Sequence, residues 1–96
     1  MAEKLTSKQR DSALRALNGW VYDEAADAIS HVFKFKSFSE AFGFMARVAL
    51  EAQAADHHPD WSNSYDTVTI TLSTHDAGGL SQKDVDLAQA IDKLLI

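Results

Sequence analysis

Cysteine is absent from the chain. That absence excludes a disulfide framework, a thiolate nucleophile and any cysteine-ligated zinc site, and it accords with a reducing, cytoplasmic setting. Proline is nearly absent: Pro59 stands alone, among only 4 glycines. No run approaches the roughly 20 apolar residues of a membrane span, and the opening MAEKLTSKQR has no apolar segment of a signal peptide, so no membrane partner is expected. Basic residues are the scarce charge, with 9 Lys and Arg against 14 Asp and Glu for a formal net charge of −5. Without a basic stripe, nucleic-acid binding is excluded as the main role. There is also no GxGxxG, no phosphate loop and no HExxH.

What is present suffices for one compact domain spanning 1–96. Hydrophobic residues make up 46% of the 96, enough for a core, though a chain this short gains from burial against partner chains. Thr6 and Gln9 have the spacing of a capping box and open a first helix, with Ala13, Leu14 and Leu17 on one side and Gly19 as its stop. Trp20–Tyr22 reads as a short strand. A turn over Asp23–Asp27 leads to a second strand, Ala28–Phe35, in which Ile29, Phe33 and Phe35 alternate with Ser30, Val32 and Lys34. Ser37 and Glu40 open the longest helix. Its stripe of Phe38, Phe42, Met45, Ala49 and Ala52 is expected to face the core, and Pro59 ends it near Asp56.

Beyond a polar stretch, Val68, Ile70 and Leu72 point one way while Thr67, Thr69, Thr71, Ser73 and His75 point the other. Gly78 and Gly79 form a turn. Ser81 and Asp84 cap a last helix, with Leu80 and Val85 as its hydrophobic staple and Val85, Ala88, Ile91 and Leu95 as its apolar face. This order predicts an α+β fold, an antiparallel sheet with helices packed on one face.

Four histidines, the side chains that titrate near neutral pH, are the candidates for chemistry. His57 and His58 sit in Asp56-His57-His58-Pro59-Asp60-Trp61, where a helix becomes a proline-fixed loop. His75 lies in Ser73-Thr74-His75-Asp76 at a strand end. Such places present side chains to clefts, although an adjacent histidine pair is also an ordinary solvated surface feature. Three imidazoles plus water would suit zinc, but consecutive ligands on one ion are geometrically awkward, and no metal is expected. His31, mid-strand among aromatics, reads as structural. Trp20 and Trp61 fit either stacking on a flat heterocycle or the core, with Trp61 the better stacking candidate. Asp84 is a helix-cap acid, and Asp56 either accepts a hydrogen bond or simply ends its helix.

The segments Ala41-Phe42-Gly43-Phe44-Met45-Ala46-Arg47-Val48-Ala49-Leu50, Asp56-His57-His58-Pro59-Asp60-Trp61 and Thr69-Ile70-Thr71-Leu72-Ser73-Thr74-His75 together resemble the pterin-4a-carbinolamine dehydratase family. The resemblance extends from Trp20 to the Gly79–Asp84 turn. It implies an antiparallel four-stranded sheet with helices on one side, a homodimer or homotetramer, and a pterin pocket lined by catalytic His57, His58 and His75. Asp56, Trp61, Ser73, Thr74 and Asp84 are the implied substrate-binding positions. The implied reaction is dehydration of 4a-hydroxytetrahydrobiopterin to quinonoid dihydropterin in tetrahydropterin recycling, with no cofactor. The family also contains a dimerisation cofactor of a homeodomain transcription factor, so a non-catalytic scaffold is the alternative. One departure stands out: four residues before His57 the family usually carries a charged residue, and here that position is Gln53. Glu51 lies about half a helical turn away from it and is no simple substitute.

Overall fold

The structure, a computed structural model, describes residues 2–95. Helix α1 (Ser7–Ala16) leads to strands β1 (Val21–Asp23) and β2 (Ala28–Lys34), then to helix α2 (Phe38–Ala55). Strands β3 (Asp60–Ser64) and β4 (Thr67–Leu72) follow, then a single 3-10 turn at His75–Ala77 and helix α3 (Gln82–Lys93). The strands form one antiparallel sheet in the order β1-β2-β4-β3. The fold is therefore the expected α+β class.

Pairing of Ile29 with Leu72, His31 with Ile70 and Phe33 with Val68 fixes which face is apolar, because directly opposed residues share a face. Ile29, Phe33, Val68, Ile70 and Leu72 are buried there, and Phe44 and Val48 of α2 with Leu87 and Ile91 of α3 complete the core. The other face is rich in hydroxyls, with Ser30 and Thr71 bonded across the strands at 2.9 Å. Val21 and Val32 on that face remain exposed.

Three expectations need correction. Helix α2 turns Ala41, Phe44, Val48 and Ala52 inward, whereas Phe38 and Phe42 are 50% and 59% exposed. The helix has apolar residues on two sides at the same helical spacing, so periodicity alone could not choose between them. The small Ala41 and Ala52 let the inner side approach the sheet, and Phe44 fills the space beside Phe33 and Phe35, with ring centroids 4.9 and 5.0 Å apart. Second, α1 stops at Ala16, before Gly19, with Leu17 already extended. Gly19 instead takes a left-handed φ of 85° directly against the His31 ring, where an added Cβ would collide. Third, the strong strand ends at Leu72 rather than running on through His75, and α3 ends at Lys93, leaving Leu95 exposed. The polar stretch after Pro59 holds edge strand β3, whose one large apolar residue, Trp61, gave little strand signal.

Candidate active site

The end of α2 delivers His57. Asp56 adopts the left-handed conformation, φ 50° and ψ 43°. Its amide donates to the Gln53 carbonyl at 3.2 Å, and the His57 amide donates to the Ala52 carbonyl at 3.1 Å. These are the paired bonds of a Schellman ending, with Pro59 two residues further on preventing any continuation of the helix. The motif satisfies carbonyls that would otherwise be orphaned and turns the chain so that His57 meets α3.

On α3, Ser81 and Asp84 form the predicted capping box, and the same carboxylate does more. Asp84 is fully buried. Its Oδ2 accepts from the Ser81 amide at 2.9 Å and from the Thr74 hydroxyl at 2.8 Å, while its Oδ1 lies 2.5 Å from His57 Nε2. Thr74 spends its one hydroxyl proton on Asp84, so in the 2.6 Å contact between the two hydroxyls Ser81 donates to Thr74. The Ser81 oxygen in turn accepts from the Lys83 amide at 3.2 Å. Both oxygens of Asp84 are met by donors, and His57 is the one that leads outward. Because Nε2 donates to the carboxylate, the lone pair of a neutral His57 resides on Nδ1.

His57, His58 and His75 line one cavity of about 230 Å³, whose remaining wall includes Asp56, Ser73 and Thr74. Asp76 and Lys83 also reach it. Neither was singled out from the sequence; Lys83 is the neighbour of the capping acid, and that position next to Asp84 was the only available signal. A second cavity of about 310 Å³ lies against the first, sharing His57 and Lys83 and floored by alanines 54, 55 and 90 with Leu87. Glu51 lines this second cavity, and Gln53 is exposed at the helix surface. Among the described residues, no group of three or more His, Asp and Glu side chains is arranged to hold a metal ion.

Trp61 is not part of the cleft wall: it pairs with Ile70 and packs on the core. Trp20 is buried, its indole N–H donating to Asp92 at 2.9 Å. His31 stacks on Phe33 with ring centroids 3.9 Å apart and meets the edge of Trp20 at 5.3 Å, the packing of a structural histidine.

Behind the cleft, Ser73 donates to the backbone carbonyl of Asp27 at 3.2 Å. The Asp27 carboxylate accepts from the Tyr22 hydroxyl at 2.7 Å and pairs with the Lys4 ammonium at 2.9 Å. Burial pushes the Asp27 carboxyl up, but these donors, aided by the Leu80 amide, outweigh burial and hold it below the usual carboxylate value.

The fold and the cleft define a class: a small α+β protein presenting several histidines, one of them backed by a buried carboxylate. The family model for pterin 4 alpha carbinolamine dehydratase matches residues 3–94. A Rhodospirillum rubrum protein provisionally named a pterin-4-alpha-carbinolamine dehydratase is 59% identical over 95 residues, covering 99% of each chain. A protein of the same provisional name from Rhodopseudomonas palustris is 53% identical, covering 98% of this chain and 93% of its own. The crystal structure of a transcriptional coactivator/pterin dehydratase from Brucella melitensis superposes with a TM-score of 0.93 at 44% identity, over 96% of this chain and 98% of that one. A pterin dehydratase-like RuBisCO assembly factor of the alpha-carboxysome shares the fold, with a TM-score of 0.69 at 20% identity over 80% of this chain and 89% of its own. The chain belongs to the pterin-4a-carbinolamine dehydratase family.

Proposed function

We propose that the protein is a hydro-lyase that dehydrates 4a-hydroxytetrahydropterins to quinonoid dihydropterins, and that it does so by histidine acid and base catalysis. The observation carrying this reading is the convergence of His57, His58 and His75 on one cleft, with Asp84 buried behind His57.

The reaction breaks the C4a–O bond, forms a C4a–N5 double bond and loses the N5 proton, so the hydroxyl leaves as water with no change of oxidation state. It therefore needs one group to give a proton and another to take one, and both tasks suit imidazoles near neutral pH. His57 takes the N5 proton on Nδ1, since Nε2 is committed to Asp84 and the carboxylate stabilises the imidazolium as it forms. The proton for the departing hydroxyl comes from His58 or His75, which are the solvent-exposed members of the set. Asp56, Ser73 and Thr74 supply polar wall around the heterocycle. The reaction belongs to the recycling of oxidised tetrahydropterin.

Stopped-flow decay of a 4a-hydroxytetrahydropterin, with and without the protein, tests the reading. Acceleration proportional to protein concentration, surviving exhaustive chelation, is expected. No acceleration overturns the enzymatic reading, and activity lost on chelation and restored by zinc alone overturns the metal-free mechanism.

Self-association accompanies this reading. Strands β1 and β3 are open edges with unpaired backbone groups, the hydroxyl-rich sheet face is half-buried and leaves Val21 and Val32 exposed, and α2 carries exposed Phe38, Phe42 and Leu50. Sedimentation should give a homodimer or homotetramer at micromolar concentration, and a monomer alone counts against it. A scaffold role is the second reading, favoured by the coactivator and assembly-factor roles named for two structural neighbours. Turnover in the stopped-flow assay argues against a purely scaffolding chain.

A further inference from the structure

We propose that Asp27 is a positioning residue for the histidine cleft: it clamps the neck of the loop carrying His75 and, through Ser81 and Thr74, holds Asp84 and His57 in register. The neck is the backbone pair of Thr74 and Gly79, bonded in both directions at 2.9 and 3.2 Å. Residues 75–77, including one of the three cleft histidines, project from it as the 3-10 turn.

Asp27, the last residue of the β1–β2 turn, sits against this neck. Its carboxylate occupies the space where a side chain on Gly79 would be, and Gly79 also holds a φ of 159°, so space and backbone both call for glycine there. Its carbonyl receives the Ser73 hydroxyl immediately before the neck. The residue holds a left-handed φ of 50°, an unfavourable conformation for a non-glycine residue that persists where surrounding contacts over-determine it. Those contacts are visible: Tyr22 grips one carboxylate oxygen and Lys4 the other. The Arg10 guanidinium lies 4.4 Å over the Tyr22 ring. The N-terminal segment closes the clasp, since the Leu5 amide donates to the Leu80 carbonyl at 2.8 Å and Lys4 bridges to Ser81. Ser81 then passes the constraint on, its amide to Asp84 and its hydroxyl to Thr74. Asp27 itself does not line the cleft and reaches it only through the Ser73 hydroxyl, yet two of the three histidines depend on the segment it holds.

Two independent readouts test this, and only the kinetic one rests on the dehydratase reading. In the full-length protein, ¹⁵N correlation spectra of the imidazoles report which nitrogen of His57 carries the proton. The wild type should show Nε2–H as the single tautomer. Asp27→Ala should stay folded by circular dichroism, show a tautomer-averaged His57 signal, and lose between about 10- and 100-fold in kcat with little change in KM, the signature of misplaced groups rather than lost binding. Gly79→Ala, which displaces the carboxylate from the opposite side while also straining the backbone at φ 159°, should reproduce both effects. A general loss of stability would leave the tautomer of the native fraction unchanged. Should Asp27→Ala fail to fold, Tyr22→Phe combined with Lys4→Met releases the carboxylate without altering the backbone and must show the same His57 change. A folded variant with wild-type His57 signals and wild-type kcat overturns the proposal. If the wild type has no turnover, the functional reading falls, and the spectra alone decide the positioning role.

Discussion

His57 and Asp84 meet across 27 residues of sequence, Nε2 to Oδ1 at 2.5 Å, with side chains 10% and 0% exposed. One partner ends α2 and the other begins α3, so this bond also ties the two helices where the cleft opens. Asp84 serves two ends at once, capping its own helix and orienting a histidine from another. The two roles can be separated because they use different oxygens.

Asp84→Asn can keep an oxygen for the Ser81 amide and the Thr74 hydroxyl while turning an NH2 group toward His57. It should lower kcat by about 10- to 100-fold, as expected when a histidine loses the carboxylate that fixes its tautomer. Asp84→Ala leaves the Thr74 hydroxyl, the Ser81 amide and His57 Nε2 without their acceptor. At about 1–3 kcal/mol for each buried unsatisfied group, the total loss should exceed about 3 kcal/mol, measurable by urea titration. A fully stable Asp84→Ala protein would contradict the buried network.

Asp56 is held left-handed by a Schellman ending, at a position that glycine fills without steric cost. Asp56→Gly relieves a left-handed cost of about 1 kcal/mol, offset by about 0.4–1 kcal/mol for the greater freedom of the unfolded glycine chain, so a small net gain in stability is expected. Denaturant midpoints of the two proteins decide the sign, and a clear destabilisation would show that the carboxylate makes a stabilising contact of its own.

The legibility of the chain divides along physical lines. Helix starts at Thr6, Ser37 and Ser81 were readable because capping is local chemistry over three residues, and β4 was readable because Val68, Ile70 and Leu72 alternate cleanly. Which side of α2 faces the core was not, because it depends on the shape of the sheet beneath. The histidine motif could be named from the sequence, but the bond from His57 to Asp84 joins segments that only the fold brings together. Trp61 illustrates the limit from the other side: motif proximity suggested the pocket, while the alternation of an edge strand sends the ring to the core.

Asp27 gives the stability a pH signature. Its carboxyl binds a proton less readily in the folded chain than in the unfolded one, so protonation favours unfolding. Its contribution is complete above the unfolded value of about 4 and drains away as the pH falls through the lower folded value. Lys4 and Tyr22, both raised chiefly by their hydrogen bonds to Asp27, act at the opposite end. Their contributions are present below about pH 10 and are lost as the pH rises through their folded values. The stability gap between wild type and Asp27→Asn should thus be greatest near neutrality and narrow below about pH 4. A gap independent of pH would mean that the charge of Asp27 contributes nothing.

The three cleft histidines should respond differently to replacement, and the difference follows from burial. His58 and His75 are exposed, so His58→Ala and His75→Ala should keep wild-type stability within about 0.5 kcal/mol while lowering kcat/KM, at least one of the three histidine variants losing about 10²-fold. His57 differs because it is the outward partner of a buried carboxylate. His57→Ala should cost turnover and also about 3 kcal/mol of stability, since removing one member of a buried pair strands the other. His57→Gln, whose amide can still donate to Asp84, should recover much of the stability but not the turnover, because an amide cannot take up the proton. His31→Ala is the control. It removes a ring stacked on Phe33 and edged against Trp20, at a cost of about 1–3 kcal/mol from the lost aromatic contacts, with kcat unchanged in the folded fraction. Thermal melts paired with stopped-flow rates on the same preparations separate the two quantities. Near-wild-type turnover in all three cleft variants, with turnover abolished in a folded His31→Ala protein, would move the chemistry out of this cleft.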